Sequence, residues 1–412
     1  MRNGWTGGQY SLFRVGLGAW LCVHFAALVP WGAEVFSNQG VLPDGAASPL
    51  LHLFPNVLAL WDAPAVVATL LVAGALLSLL LALGLADRVA AVALWYVWAC
   101  LHGRNPLIAN PGLPYVGWLL LAHAAIPGAP HGSWKARGRA DPGGGWSMPP
   151  ALFAVAWLLM ALGYTYSGIT KLVSPSWVDG TAFRHVLENP LARPTALREW
   201  MLALPDGVLR VLTWGALGAE LAFAPLALLR ALRPWLWLAL LGMHLGLMVL
   251  VDFTDLSLGM VMLHSFTFDP AWVRPRGAPA TELLLYDGHC GLCHRWIRFL
   301  LAEDRAAAFR FAPLGGATFH AAVPEAARAS LPDSVVVVTA EGRLLVRSRA
   351  ALHILRRLGG LWRVLAGVAG LVPRPLLDRA YDGVAAVRHR LFARPTEACP
   401  VVAPALRARF TD

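Results

Sequence analysis

Two cysteines three positions apart, Cys290 and Cys293, close the run Tyr286-Asp287-Gly288-His289-Cys290-Gly291-Leu292-Cys293, with an apolar stretch before it and helix-forming sequence after it. A cysteine at a helix N-terminus faces the positive end of the helix dipole and unpaired backbone N–H groups, which favours its thiolate at neutral pH. The second cysteine, one turn on, can then resolve the mixed disulfide that the first one forms. Two other readings stay open. A structural zinc would use the same thiolates, and His289 and His294 flank them, but no second Cys-x-x-Cys or His-x-x-x-His pair follows to complete four ligands. The pair can also be two small core residues. Asp287 either accepts a proton from a buried thiol or caps an Asp-Gly turn, and the turn role is favoured.

A second concentration of polar groups closes an apolar segment upstream: Tyr166, Ser167, Lys171, Trp177 and Gly180. A lysine at the end of a membrane span usually snorkels to the interface. A desolvated lysine is pushed toward the neutral amine and can act as a general base. His24, Glu220, His244 and His264 fall inside other apolar segments, where an ionisable group is costly and makes either an interhelical hydrogen bond or a functional site. Their spacing matches no ligand pattern, so no metal is expected.

The elements that carry these groups follow from composition. Of 412 residues, 57% are hydrophobic and 14% charged, with 18 tryptophans, whereas soluble domains carry about a quarter charged residues. An integral membrane protein is expected. Apolar segments cover residues 11–31, 64–86, 89–101, 113–126, 149–170, 208–229, 234–251 and 256–268. The third, fourth and eighth are shorter than the roughly 20 residues a helix needs to cross the hydrocarbon core. No cleavable-signal pattern precedes the first. With eight spans and Arg2 inside, the basic loops at Arg88, Lys135 to Arg139, Arg230 with Arg233, and Arg274 with Arg276 all fall on the cytoplasmic side. Arg104 is the exception. The excess of 34 basic over 24 acidic residues is thereby explained by loop charge, and no nucleic-acid motif accompanies it. Five scattered cysteines exclude a disulfide-stapled secreted scaffold.

Past residue 268 the composition changes. Residues 1–272 read as the helical membrane domain, 273–281 as a linker, 282–400 as a separate domain and 401–412 as a tail. Within that domain the pattern predicts strands at 282–286, 309–312, 334–339 and 343–347, a helix at 292–302, and a short helix at 318–322 or 325–330. Glu341-Gly342 makes the last two strands a hairpin. A βαβ start followed by a hairpin and a helix is the thioredoxin-like order. The fold class expected is therefore a multi-pass α-helical membrane domain followed by an α/β thioredoxin-like domain. The arginine-rich stretch 352–390 can dock on anionic headgroups, making membrane lipids one expected partner.

From Tyr286, Asp287, Gly288, Cys290 and Cys293, and from Phe309 to Leu314, Arg347 to Leu352, Leu371 to Pro375 and Tyr381 to Phe392, the sequence from 283 to 399 resembles the DCC family of thiol-disulfide oxidoreductases. The resemblance implies a thioredoxin-like fold with Cys290 attacking and Cys293 resolving, no required cofactor, and a disulfide-containing client or redox partner. Cys399 matches a late cysteine often found in that family. In ordinary thioredoxins a cis-proline immediately precedes the third strand, whereas Pro332 lies two residues short of Ser334, which puts the substrate-docking edge in question.

Ser167, Gly168, Lys171, Leu172, Trp177 and Gly180 resemble the horizontally transferred transmembrane family, relatives of vitamin K-dependent gamma-carboxylase, with the wider likeness covering 10–268. In the carboxylases the matching lysine starts quinol oxygenation, which carries over to Lys171 as an expectation. The stretch Asn110 to Tyr115 lacks their Asn-Asn-His element, and there is no room for their large lumenal domain, so glutamate carboxylation is not expected. A quinone-like lipid among Tyr166, Ser167, Glu220, His244 and His264 is what survives. The leading expectation is a membrane-bound protein-disulfide reductase in a bacterial inner membrane with its C-terminal domain cytoplasmic, its dithiol coupled to a quinone or lipid handled by the transmembrane domain. Quinol-dependent oxygenation at Lys171 and a non-catalytic lipid-binding scaffold are the alternatives.

Overall fold

The computed structural model describes residues 3–252, 254–277, 280–392, 395, 400 and 402–412. Cys399 and Arg2 lie outside the described residues. The chain divides into two compact units: Phe13–Ile126 with Pro149–Phe268, and Arg2–Leu12 with Pro127–Met148 and Asp269–Asp412. The border is thus crossed several times along the chain.

The first unit is helical. Its main elements are α1 (Gly7–Leu28, which begins in the second unit), α2 (Pro64–Leu83), α3 (Asp87–Arg104), α4 (Leu113–Ala125), α5 (Pro150–Lys171), α6 (Asp206–Leu221), α7 (Arg233–Leu250) and α8 (Thr254–Thr267). Each of the eight expected apolar segments overlaps one of them. Among the described residues, four helices are long and apolar enough to cross a membrane: Gly7–Phe36, Pro64–Leu83, Pro150–Lys171 and Arg233–Leu250. The segment expected as one span at 208–229 is broken, with α6 ending at Leu221 and a separate turn at Phe223–Ala227. Pro225 causes the break, since it has no N–H to continue the ladder. Thr165 Oγ1 compensates by donating to the Glu220 carbonyl at 3.2 Å and accepting from the Ala224 N–H at 3.0 Å.

Arg104, which departed from the loop-charge pattern, is not a loop charge. It is fully buried, its guanidinium 2.9 Å from Asp62 and donating to the carbonyls of Leu42 and Pro43 at 2.8 and 3.2 Å. Charge-assisted bonds of this kind hold a buried guanidinium that would otherwise be costly.

In the second unit a four-stranded sheet forms from β1 (Glu282–Tyr286), β2 (Phe309–Pro313), β3 (Val336–Val338) and β4 (Leu344–Val346), in the order β2-β1-β3-β4. β1 and β2 are parallel, joined through α9 (Gly291–Glu303), and β3 runs antiparallel to both β1 and β4. This arrangement is compatible with the thioredoxin-like order. The last two strands are shorter than the pattern predicted, and β4 stops where Arg347 begins α10 (Arg347–Leu358). Gly342, at φ +77°, turns the chain between them, a conformation glycine adopts without a Cβ clash. Both short helices expected as alternatives are present, at Ala317–Ala322 and Glu325–Arg328.

The period-2 alternation of a strand sends Leu284 and Tyr286 to one face of the sheet and Leu283 and Leu285 to the other. The first pair packs with Cys290, Cys293 and Ile297, and the second with Phe319 and Val323. The dithiol helix therefore belongs to one layer of a core covered on both faces. Two further helices, α11 (Gly360–Ala369) and α12 (Arg374–Leu391), follow α10. The C-terminal residues then pair with β2, the Phe311 N–H donating to the Arg409 carbonyl at 2.8 Å and the Thr411 N–H to the Phe311 carbonyl at 2.9 Å.

Candidate active site

β1 ends at Tyr286, and the chain turns sharply before α9. Asp287 Oδ1 accepts from the His289 N–H at 2.9 Å, the Asx geometry that makes Asp-Gly a turn. The turn role expected for Asp287 is present. His294 Nε2 closes the same loop onto the Gly288 carbonyl at 2.8 Å.

Cys290 is the N-cap of α9, and its Sγ accepts from the Cys293 N–H at 3.3 Å. The sulfur takes the place that a serine or aspartate oxygen fills at most helix starts. Both thiols are free, Cys290 fully buried and Cys293 7% exposed. Burial first, and then the hydrogen bond and charge of Cys290, hold the Cys293 thiol well above the usual thiol range, while Arg388 pulls the other way.

Cys293 borders a cavity of about 180 Å³, whose walls include Leu292, Trp296, Val335, Ile354, Tyr381 and Arg388. Its lining is apolar except for the thiol, the phenol and the guanidinium. Arg388 on α12 donates to Asp333 at 2.5 Å and to Asp287 at 3.3 Å. The Tyr381 hydroxyl accepts from the Val335 N–H at 3.0 Å, beside the strand edge where Pro332 was singled out. Arg388 and Tyr381 fall in the stretch 381–392 that resembles the family, but local sequence does not pair them with Asp287 and Val335, 101 and 46 residues away.

In the helical unit, Lys171 Nζ donates to Ser167 Oγ at 2.8 Å and to Glu220 Oε2 at 2.5 Å, and lies 4.8 Å from the Trp177 ring centre. Glu220 is buried. Four of the residues singled out by sequence thus meet at the C-terminal end of α5. Gly180 stands close by at φ +86°, where a Cβ would meet Arg210 Cγ at 2.9 Å and Trp214 at 3.0 Å. Tyr166 points away and is exposed. His244 and His264 form a second group with Tyr164, whose hydroxyl lies 2.6 Å from His264 Nε2. The His244 ring is centred 6.0 Å from that of Tyr164, and neither of its nitrogens has a hydrogen-bond partner among the described residues. Tyr164 was missed as a site residue, although its spacing from Gly168 and Lys171 puts all three on one helical face. His24 pairs elsewhere, with Asp255 at 3.2 Å.

Residues 284–394 match the family described as DCC1-like thiol-disulfide oxidoreductase. The chain is 29% identical over 133 residues to the uncharacterized protein YuxK of Bacillus subtilis, covering 31% of this chain and 93% of that protein. It is also 29% identical over 112 residues to a chloroplastic DCC family protein of Arabidopsis thaliana, covering 27% of this chain and 65% of that protein. No solved structure matches. The C-terminal part of the chain accordingly carries a DCC-like thiol-disulfide oxidoreductase domain, and its matched residues contain Cys290, Cys293, Arg388 and Tyr381.

Proposed function

We propose that this protein is a membrane-bound thiol-disulfide oxidoreductase with a thioredoxin-like catalytic domain that reduces disulfides in a client. The observation that carries this reading is the dithiol at the start of α9, with Cys290 Sγ capping the helix and Cys293 on the cavity wall. In the proposed cycle the Cys290 thiolate attacks one sulfur of the client disulfide, forming a mixed disulfide and releasing the first client thiolate. Cys293 then attacks Cys290, which releases the second client thiol and leaves the Cys290–Cys293 disulfide. Two electrons have passed to the client, and a dithiol partner restores the pair. Because Cys290 is buried, the loop at Asp287 to His289 must open for the first step.

The four helices of membrane-crossing length support the membrane location, and the basic loops support a cytoplasmic catalytic domain. In that compartment the pair is held reduced, which favours electron donation. Full-length protein carrying Cys293→Ser should accumulate mixed disulfides with client proteins, and Cys290→Ser should abolish reduction of a small disulfide reporter. Unchanged turnover in Cys290→Ser would overturn the assignment, and so would trapping only in that variant. A reporter fused after Asp412 tests the orientation.

One observation favours separate chemistry in the helical unit. Lys171, Ser167 and buried Glu220 lie together, and His244 presents ring nitrogens without a partner among the described residues. A quinone-like lipid whose oxygens bond His244 and share the Lys171 contacts is the ligand this chemistry suits. Quinol-dependent oxygen uptake that disappears in Lys171→Ala would support it.

A further inference from the structure

The turn from α11 into α12 leaves apolar residues in the open. Leu371 is 83% exposed, Val368 61% and Leu376 53%. On α11, burial falls on Gly360, Trp362 and Ala366, so Val364, Leu365 and Val368 cover the opposite face. On α12, at 3.6 residues per turn, Leu376, Val387 and Leu391 fall on one stripe, and Arg379 and Arg390 run along its edge. Exposed apolar residues clustered in this way are uncommon on a protein that meets only water and mark an interaction site.

Arginines outnumber carboxylates along this surface, and the two carboxylates on α12 are engaged. Asp378 is taken up by Ser348, whose hydroxyl donates to it at 2.5 Å, and Asp382 pairs with Arg347 at 3.0 Å. Arg374, Arg379 and Arg390 remain exposed beside the apolar residues. A protein partner could answer the apolar residues alone, but an apolar turn flanked by arginines is complementary in both respects to a bilayer, with acyl chains inside and anionic phosphates at the rim. The same chain carries the four membrane-length helices, so a bilayer would be at high effective concentration.

We infer that the turn from α11 into α12, with the exposed stripe of α12, docks on an anionic lipid bilayer, with Leu371, Val372 and Leu376 entering the acyl region and Arg374, Arg379 and Arg390 meeting the headgroups. Docking deepens the membrane reading above and rests on it. It would hold the catalytic domain against the lipid surface and restrict which clients reach the Cys293 cavity.

The test uses the full chain in lipid nanodiscs, with its native cysteines replaced and a single environment-sensitive fluorophore placed by Leu371→Cys or, as a control on the β3–β4 turn, by Glu341→Cys. The Leu371 probe should shift to the blue and be quenched several-fold by lipids spin-labelled in the acyl chain, in discs containing anionic lipid. The Glu341 probe should not respond. Arg379→Glu with Arg390→Glu should remove the quenching. A Leu371 probe as solvated as the Glu341 probe overturns the inference while leaving the membrane reading intact, and so does a probe shielded only by a second copy of the chain. A chain that does not enter the discs overturns both. Leu371→Asp in the otherwise native chain should leave turnover of a small soluble disulfide unchanged while removing the lipid contact, which separates docking from folding.

Discussion

Arg388 holds Asp287 at 3.3 Å and Asp333 at 2.5 Å, tying the loop that precedes Cys290 to the segment that leads into β3. The same guanidinium borders the cavity that Cys293 lines. One buried cation on α12 thus fixes the turn that presents the dithiol and sets the charge felt by the second thiol.

The two charges act on Cys293 in opposite directions. Arg388 lowers the pKa of that thiol and Asp287 raises it. Asp287→Asn keeps the oxygen that accepts from the His289 N–H but removes the anion, so alkylation of Cys293 at neutral pH should become a few-fold faster. Arg388→Gln should slow it a few-fold. A full pKa unit would give about tenfold. Site-resolved mass spectrometry of the alkylated peptide checks the signs, and equal rates in both variants would remove Arg388 from any role at the thiol.

Glu303, at the end of the dithiol helix, is buried and accepts from the Gly8 N–H and the Trp362 indole at 2.7 Å each and from the Thr6 hydroxyl. Burial pushes its carboxyl above the usual range, and the three donors oppose that shift only in part. A carboxyl with a raised folded pKa binds its proton more tightly in the native state. Its contribution is complete below the unfolded value and is lost as pH rises through the folded one. Glu303→Gln should remove that pH dependence and, by leaving one buried donor without an acceptor, cost about 1–3 kcal/mol near neutral pH. Thermal unfolding of the full chain across pH measures both.

Lys171 and Glu220 should behave as a pair. Lys171→Met leaves the buried Glu220 charge without its counterpart, at a cost of about 3 kcal/mol, Glu220→Leu leaves the half-buried Lys171 unpaired at a smaller cost, and the double replacement should be close to neutral. A double-mutant cycle in detergent with purely additive effects would dissolve the pair.

Local pattern alone was enough for the elements whose signal is contiguous. The apolar segments, the Asp-Gly turn, the Cys-x-x-Cys at a helix start and the hairpin at Gly342 each depend on residues within a few positions of one another, where periodicity and turn chemistry operate. The tertiary structure decided what depends on distant chain meeting. It paired Lys171 with Glu220, 49 residues away, bonded Tyr164 to His264, turned Arg104 from a loop charge into a buried partner of Asp62, and brought Arg388 and Tyr381 to the dithiol. It also placed Cys293 on the cavity wall and left Cys290 fully buried. Spacing shows that two thiols lie one helical turn apart, but which of them meets open space depends on the helices packed over them.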